Sequence, residues 1–81
     1  MESFPWHGHV VNILPEQTER GWEAHVEVVV HSKGTTERIN YHDHVNVQQS
    51  REAAVEASRE LGKRAVENFI LPASGEGDYQ G

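Results

Sequence analysis

The chain of 81 residues contains no cysteine. Disulfide scaffolding, thiolate zinc fingers and thiol nucleophiles are therefore excluded, and any structural metal has to be held by imidazole and carboxylate groups. Long apolar runs are also missing. None approaches the roughly 18 residues that a membrane span needs. Residues 1–15 have neither the basic start nor the continuous apolar stretch of a secretory signal. A cytoplasmic, bacterial-type soluble protein with no membrane attachment is expected. Basic residues are scarce, with 7 Lys plus Arg against 13 Asp plus Glu and a formal charge of -6. Nucleic-acid affinity is built mainly on clustered Lys and Arg, so direct DNA or RNA binding is not expected.

A chain this short is one domain at most. It buries only about 60 to 65% of the surface its unfolded form exposes, which leaves a thin margin of stability. Self-association would widen that margin, and a homodimer is the expected state.

The hydrophobic pattern predicts three strands and a helix. Trp6 to Leu14 (WHGHVVNIL) is apolar and β-branched after its His-Gly-His opening, and Pro15 ends it as a strand. Pro15 to Gly21 (PEQTERG) reads as a connecting loop. From Trp22 to His31 the residues alternate: Trp22, Ala24, Val26, Val28 and Val30 share one face, while Glu23, His25, Glu27, Val29 and His31 share the other. Gly34 supplies the positive φ that a tight hairpin requires. The third strand, Thr35 to Val47, then pairs antiparallel with the second. Glu37 or Thr35, then Ile39, Tyr41 and Val45, are expected inward, and Arg38, Asn40, His42 and His44 outward. Asp43 breaks the inward pattern and marks a bulge or the end of regular pairing.

Ser50 is a good N-cap for a helix over residues 51–70, with Glu52 in the first turn favoured by the helix dipole. At 100° per residue, Ala54, Val55, Ser58, Leu61, Gly62, Ala65, Val66 and Phe69 fall within an arc of about 140°. Glu56 with Arg59, and Glu60 with Arg64, have helix-neighbour spacing. Pro72 stops the helix, and 72–81 reads as a flexible tail. The expected fold is α+β: a three-stranded antiparallel sheet with one C-terminal helix on one face, in β-β-β-α order over residues 1–71. One helix covers only one face of such a sheet, and the other face is left to solvent or a partner.

The compositional anomaly is histidine, with six residues arranged as His7-Gly8-His9, His25, His31 and His42-Asp43-His44. A spacing of two on a strand puts both members of a pair on one face. The alternation above sends His25, Glu27, His31, Arg38, His42 and His44 to the face opposite the helix, a candidate interaction face. His7 and His9 join it if Trp6, Gly8 and Val10 point inward. Three readings stand: solvated or self-associating surface imidazoles, a pH-responsive interface, or a divalent metal site for an ion such as Zn, Ni or Cu, with Glu23 or Glu27 as a carboxylate ligand. No metal or other cofactor is required by the sequence.

Catalytic candidates are confined to the histidines with Asp43, Ser32 or Ser50. There is no nucleophile elbow, phosphate-cradling glycine loop or carboxylate pair of recognisable spacing, so no catalytic residue is assigned. The small residues Ala54, Ser58, Gly62 and Ala65 lie close together on the helix. Gly62 costs roughly 1 kcal/mol relative to Ala in a helix interior, so close approach to the sheet or to a second helix is expected there. Trp6 and Trp22 read as core or rim residues.

The run from Trp22 to Phe69, with the capped turn Ser50-Arg51-Glu52-Ala53-Ala54, resembles the small bacterial domains of the HicB-like antitoxin type. That resemblance implies a protein-binding, commonly self-associating domain. A small non-enzymatic interaction module is the expected function. The alternatives are a His-rich metal-binding protein and an acidic inhibitor of a nucleic-acid-binding protein, for which Glu52, Glu56, Glu60 and Glu67 are interleaved with Arg59, Lys63 and Arg64.

Overall fold

The computed structural model describes residues 2–72. It is α+β, with an antiparallel sheet and one C-terminal helix, and the sheet has five strands rather than three. Both additional strands come from segments where the sequence hides a break or a short pairing.

The segment Trp6 to Leu14 is not one strand. His7 (φ 52°) and Gly8 (φ 83°) both adopt positive φ, as a two-residue primed turn requires. The chain therefore folds back there, pairing β1 (Glu2–Trp6) with β2 (His9–Ile13). Histidine, like Asn and Asp, is among the non-glycine residues enriched at positive φ, but the strand-like run around His7 masks its turn role. Pro15, which has no N–H to contribute to a ladder, separates β2 from β3 (Glu16–Thr18). Residues 15–21, expected as a loop, thus contain a short strand.

β2 and β3 pair with successive stretches of the same edge of β4 (Gly21–Ser32), and β5 (Thr35–Gln48) pairs along its other edge. The β4–β5 hairpin closes through Lys33 (φ 41°) and Gly34 (φ 84°). Its register runs from Ser32 opposite Thr35 to Ala24 opposite Asp43, and then shifts so that Trp22 faces Gln48. The irregularity expected at Asp43 is present. The Asp43 carboxylate accepts from the backbone N–H of Val45 at 3.0 Å and of Asn46 at 3.1 Å, and from the Asn46 amide at 3.0 Å. These bonds, the Asn46 side chain's foremost, hold its carboxyl below the usual range. The extra length of β5 throws Val45 outward, where it is 83% exposed, so its expected inward placement is corrected.

Helix α1 (Arg51–Ala65) begins at Ser50, whose hydroxyl accepts from the Ala53 N–H at 3.1 Å. The chain continues as one wider π-type turn, Val66–Ile70, rather than as regular helix to residue 70. That turn departs from the 100° step. Val66 and Ile70 reach the core, while Phe69, assigned to the buried arc by regular periodicity, is 60% exposed and stacks on Tyr41 with ring centroids 5.8 Å apart. Glu60 pairs with Lys63 rather than with Arg64, and Arg59 pairs with Glu56 and with Glu2 of β1. Trp6 donates its indole N–H to Glu67 at 3.1 Å, and the Lys63 ammonium lies 4.9 Å from the Trp6 ring centroid.

The core lies between α1 and the sheet. Val11, Val26, Val28 and Val66 are fully buried, with Val30 and Ile70 beside them. On the helix side, Ala54, Ser58, Gly62 and Ala65 are buried. A Cβ at Gly62 would overlap Val11 Cγ1, so the glycine is there to let helix and sheet approach.

Candidate functional site

Alternation from the buried Val26 and Val28 fixes what the other side of the sheet carries. Glu23, His25, Glu27, Val29 and His31 of β4 point away from the helix. Register adds their neighbours: His42 opposite His25, Asn40 opposite Glu27, and Arg38 opposite Val29 on β5. Val10 and Asn12 of β2 lie opposite Val29 and Glu27, and Glu16 of β3 lies opposite Glu23.

Three imidazoles form a row. The rings of His25 and His42 stack with centroids 3.8 Å apart and an interplanar angle of 8°, and His44 continues the stack 5.0 Å from His42 at 12°. Carboxylates flank the row. Glu16 Oε1 lies 3.2 Å from His42 Nε2, and Glu23 Oε1 lies 2.8 Å from His44 Nδ1. Glu23 is only 5% exposed although it lies on the uncovered face. Its carboxyl is held below the usual range, first by the His44 hydrogen bond and further by Arg20, against the opposing effect of burial. Arg20 also donates to the His44 carbonyl at 2.6 Å, tying the β3–β4 turn to the irregular part of β5. Farther along, Glu27 Oε1 accepts from Asn12 Nδ2 at 3.0 Å and from Arg38 Nη1 at 3.2 Å.

His25 is the best-fixed ring. The break between β2 and β3 exposes the Leu14 carbonyl to its side chain, and Nδ1 lies 3.0 Å from that oxygen. A carbonyl only accepts, so Nδ1 carries the proton. Nε2 lies 2.8 Å from Asn40 Oδ1, which likewise only accepts. The backbone N–H of His25 donates across the sheet to Ser58 Oγ at 3.1 Å, while the Leu14 N–H donates to the His25 carbonyl at 3.0 Å.

Not every histidine joins this group. His31 shares the face but stands six residues along β4 from His25, about 20 Å away at the usual strand rise. His7 and His9 lie elsewhere, which corrects their conditional assignment to the open face. Val10 opposes Val29 on that face, so its neighbour His9 points the other way. His7 lies beside Glu67, with 3.8 Å between Nε2 and Oε2. His9 is 8% exposed, and its Nδ1 accepts from the His31 backbone N–H at 3.3 Å.

His9 makes a pH dependence predictable. Burial first, then His31 and His7, lower its pKa in the folded chain. The unfolded chain therefore binds the proton more readily, and stability present above about pH 6.5 falls as the pH drops toward the lower folded value. Urea unfolding at pH 7.5 and 5.5 should show a smaller acid loss in His9→Gln than in the natural chain; equal losses would refute the assignment.

Two of the groups weighed for catalysis, Asp43 and Ser50, have structural partners. Asp43 caps the irregular turn of β5, and Ser50 caps the helix. Glu16, Arg20 and Asn40 complete the imidazole row, and Glu16 and Arg20 escape a reading of the sequence because residues 15–21 look like a loop. Glu16, His25 and His42 each bring one ligand atom into a group within 4.8 Å of one another. Among the described residues, no helix is long and apolar enough to cross a membrane. Comparison with family models, curated proteins and solved structures returns no match.

Proposed function

We propose that the chain is a small non-enzymatic interaction module that self-associates through the open sheet face. The observation that carries this reading is the cross-strand polar ladder: Asn12–Glu27–Arg38, His25–Asn40, Glu16–His42 and Glu23–His44 are joined before any partner arrives. Side chains already fixed by their neighbours lose little rotamer freedom on association. The ladder also presents both signs of charge on a chain whose total is -6. A two-fold axis brings a patch onto its own copy, and a patch of mixed sign can match itself there. An uncovered sheet face offers contact area rather than the water-excluding enclosure that catalysis favours.

The acidic-inhibitor alternative has less support. Glu56 and Glu60 on the helix are already paired with Arg59 and Lys63, so they do not form a strip of free carboxylates.

Light scattering across a concentration series tests the reading. The natural chain should approach twice its monomer mass, and Arg38→Glu should weaken dimerisation about tenfold or more, equivalent to ~1.4 kcal/mol. A strict monomer at the highest concentration, or a dimer indifferent to Arg38→Glu, overturns it.

A further inference from the structure

The geometry points to a binding site for a borderline divalent transition-metal ion, represented by Zn²⁺, at Glu16, His25 and His42. Three neighbouring strands, β3, β4 and β5, supply one ligand each, and the three ligand atoms lie within 4.8 Å of one another. The closest pair, Glu16 Oε1 and His42 Nε2, is 3.2 Å apart. Two ligands bound at about 2.0–2.1 Å to a tetrahedral ion stand roughly 3.3 Å from each other, so this edge of the site is already at coordination spacing.

His25 has the second requirement of a ligating imidazole. Its Nδ1 is held 3.0 Å from the Leu14 carbonyl oxygen, which fixes Nδ1 as a donor and makes Nε2 the nitrogen free to take part in ligation. A backbone carbonyl holding the non-ligating nitrogen is a usual outer-shell arrangement around metal-bound histidine. Asn40 Oδ1 now lies 2.8 Å from Nε2, so ion binding would turn that amide aside and release the Nε2 proton. Two imidazoles and one carboxylate favour zinc, copper, nickel or iron over calcium and magnesium, which take oxygen ligands. The flat face leaves at least one coordination position for water or another exchangeable ligand.

The stack determines what binding changes. Parallel rings 3.8 Å apart keep their in-plane lone pairs in separate planes that do not meet at one point. Coordination must rotate His25, His42 or both off parallel, and movement of His42 breaks its contact with His44. His44 is thus a reporter outside the ligand set.

The inference does not depend on self-association. Calorimetric titration of the untagged full chain with Zn²⁺ should give one ion per chain. Glu16→Gln and His42→Ala, both at exposed positions, should each weaken binding about tenfold or more, while His31→Ala should leave it within about twofold. NMR of the histidine rings should show His25 and His42 shifting with added Zn²⁺ and His44 losing its stacked environment, with His31 unchanged. No saturable binding, or binding that survives in both Glu16→Gln and His42→Ala, overturns the site.

Discussion

Gly62→Ala should destabilise the fold by about 2 kcal/mol, although alanine is the better helix former by roughly 1 kcal/mol. The new Cβ would overlap Val11 Cγ1, and Val11 cannot readily yield. Its side chain is branched at Cβ and fully buried, and its backbone is paired with Phe4 on one side and Val28 on the other. The remaining response is for α1 to lift from the sheet, loosening contacts that Ala54, Ser58 and Ala65 make in the same buried row. Urea unfolding would measure the loss. Gly62→Ala with Val11→Ala should be more stable than the sum of the two single changes, because the second removes the methyl group that blocks the first. A Gly62→Ala chain as stable as the natural one would show that local helix propensity outweighs helix–sheet contact.

That close approach is one of two uses the sequence allows for Gly62, and the contact with Val11 is the one the fold makes. Strong local signals fixed other features equally well. Strict alternation along β4 separates Val26 and Val28 from His25 and Glu27, and Ser50 caps the helix. The misplaced features were those with weak or competing local signals. His7 in a primed turn resembles strand sequence, and three residues after a proline resemble a loop. Val45 and Phe69 were placed by extending a regular period through a bulge and a π-type turn, where that period no longer applies. The candidate site divides in the same way. The imidazoles of His25, His42 and His44 were readable as sharing a face, whereas Glu16 needed the unrecognised β3, and the stacking needed the His25–His42 register.

Ser58→Ala should cost about 1–3 kcal/mol, the usual loss when a buried donor is left without its acceptor. The break at Leu14–Pro15 creates this dependence. An ordinary antiparallel pair would exchange both backbone hydrogen bonds between Leu14 and His25. Here the Leu14 N–H reaches the His25 carbonyl, but the Leu14 carbonyl faces the His25 ring, and the His25 N–H turns to the helix. Ser58 is fully buried, so water cannot readily replace its hydroxyl. The helix therefore holds the backbone of His25 from one side of the sheet while the strand break orients its ring on the other. Amide exchange separates this local role from a general loss of stability: in Ser58→Ala, protection at His25 should fall more than at Val26. Equal loss at both amides would assign Ser58 to packing alone, and an unchanged unfolding midpoint would remove the hydrogen bond from the forces holding helix to sheet.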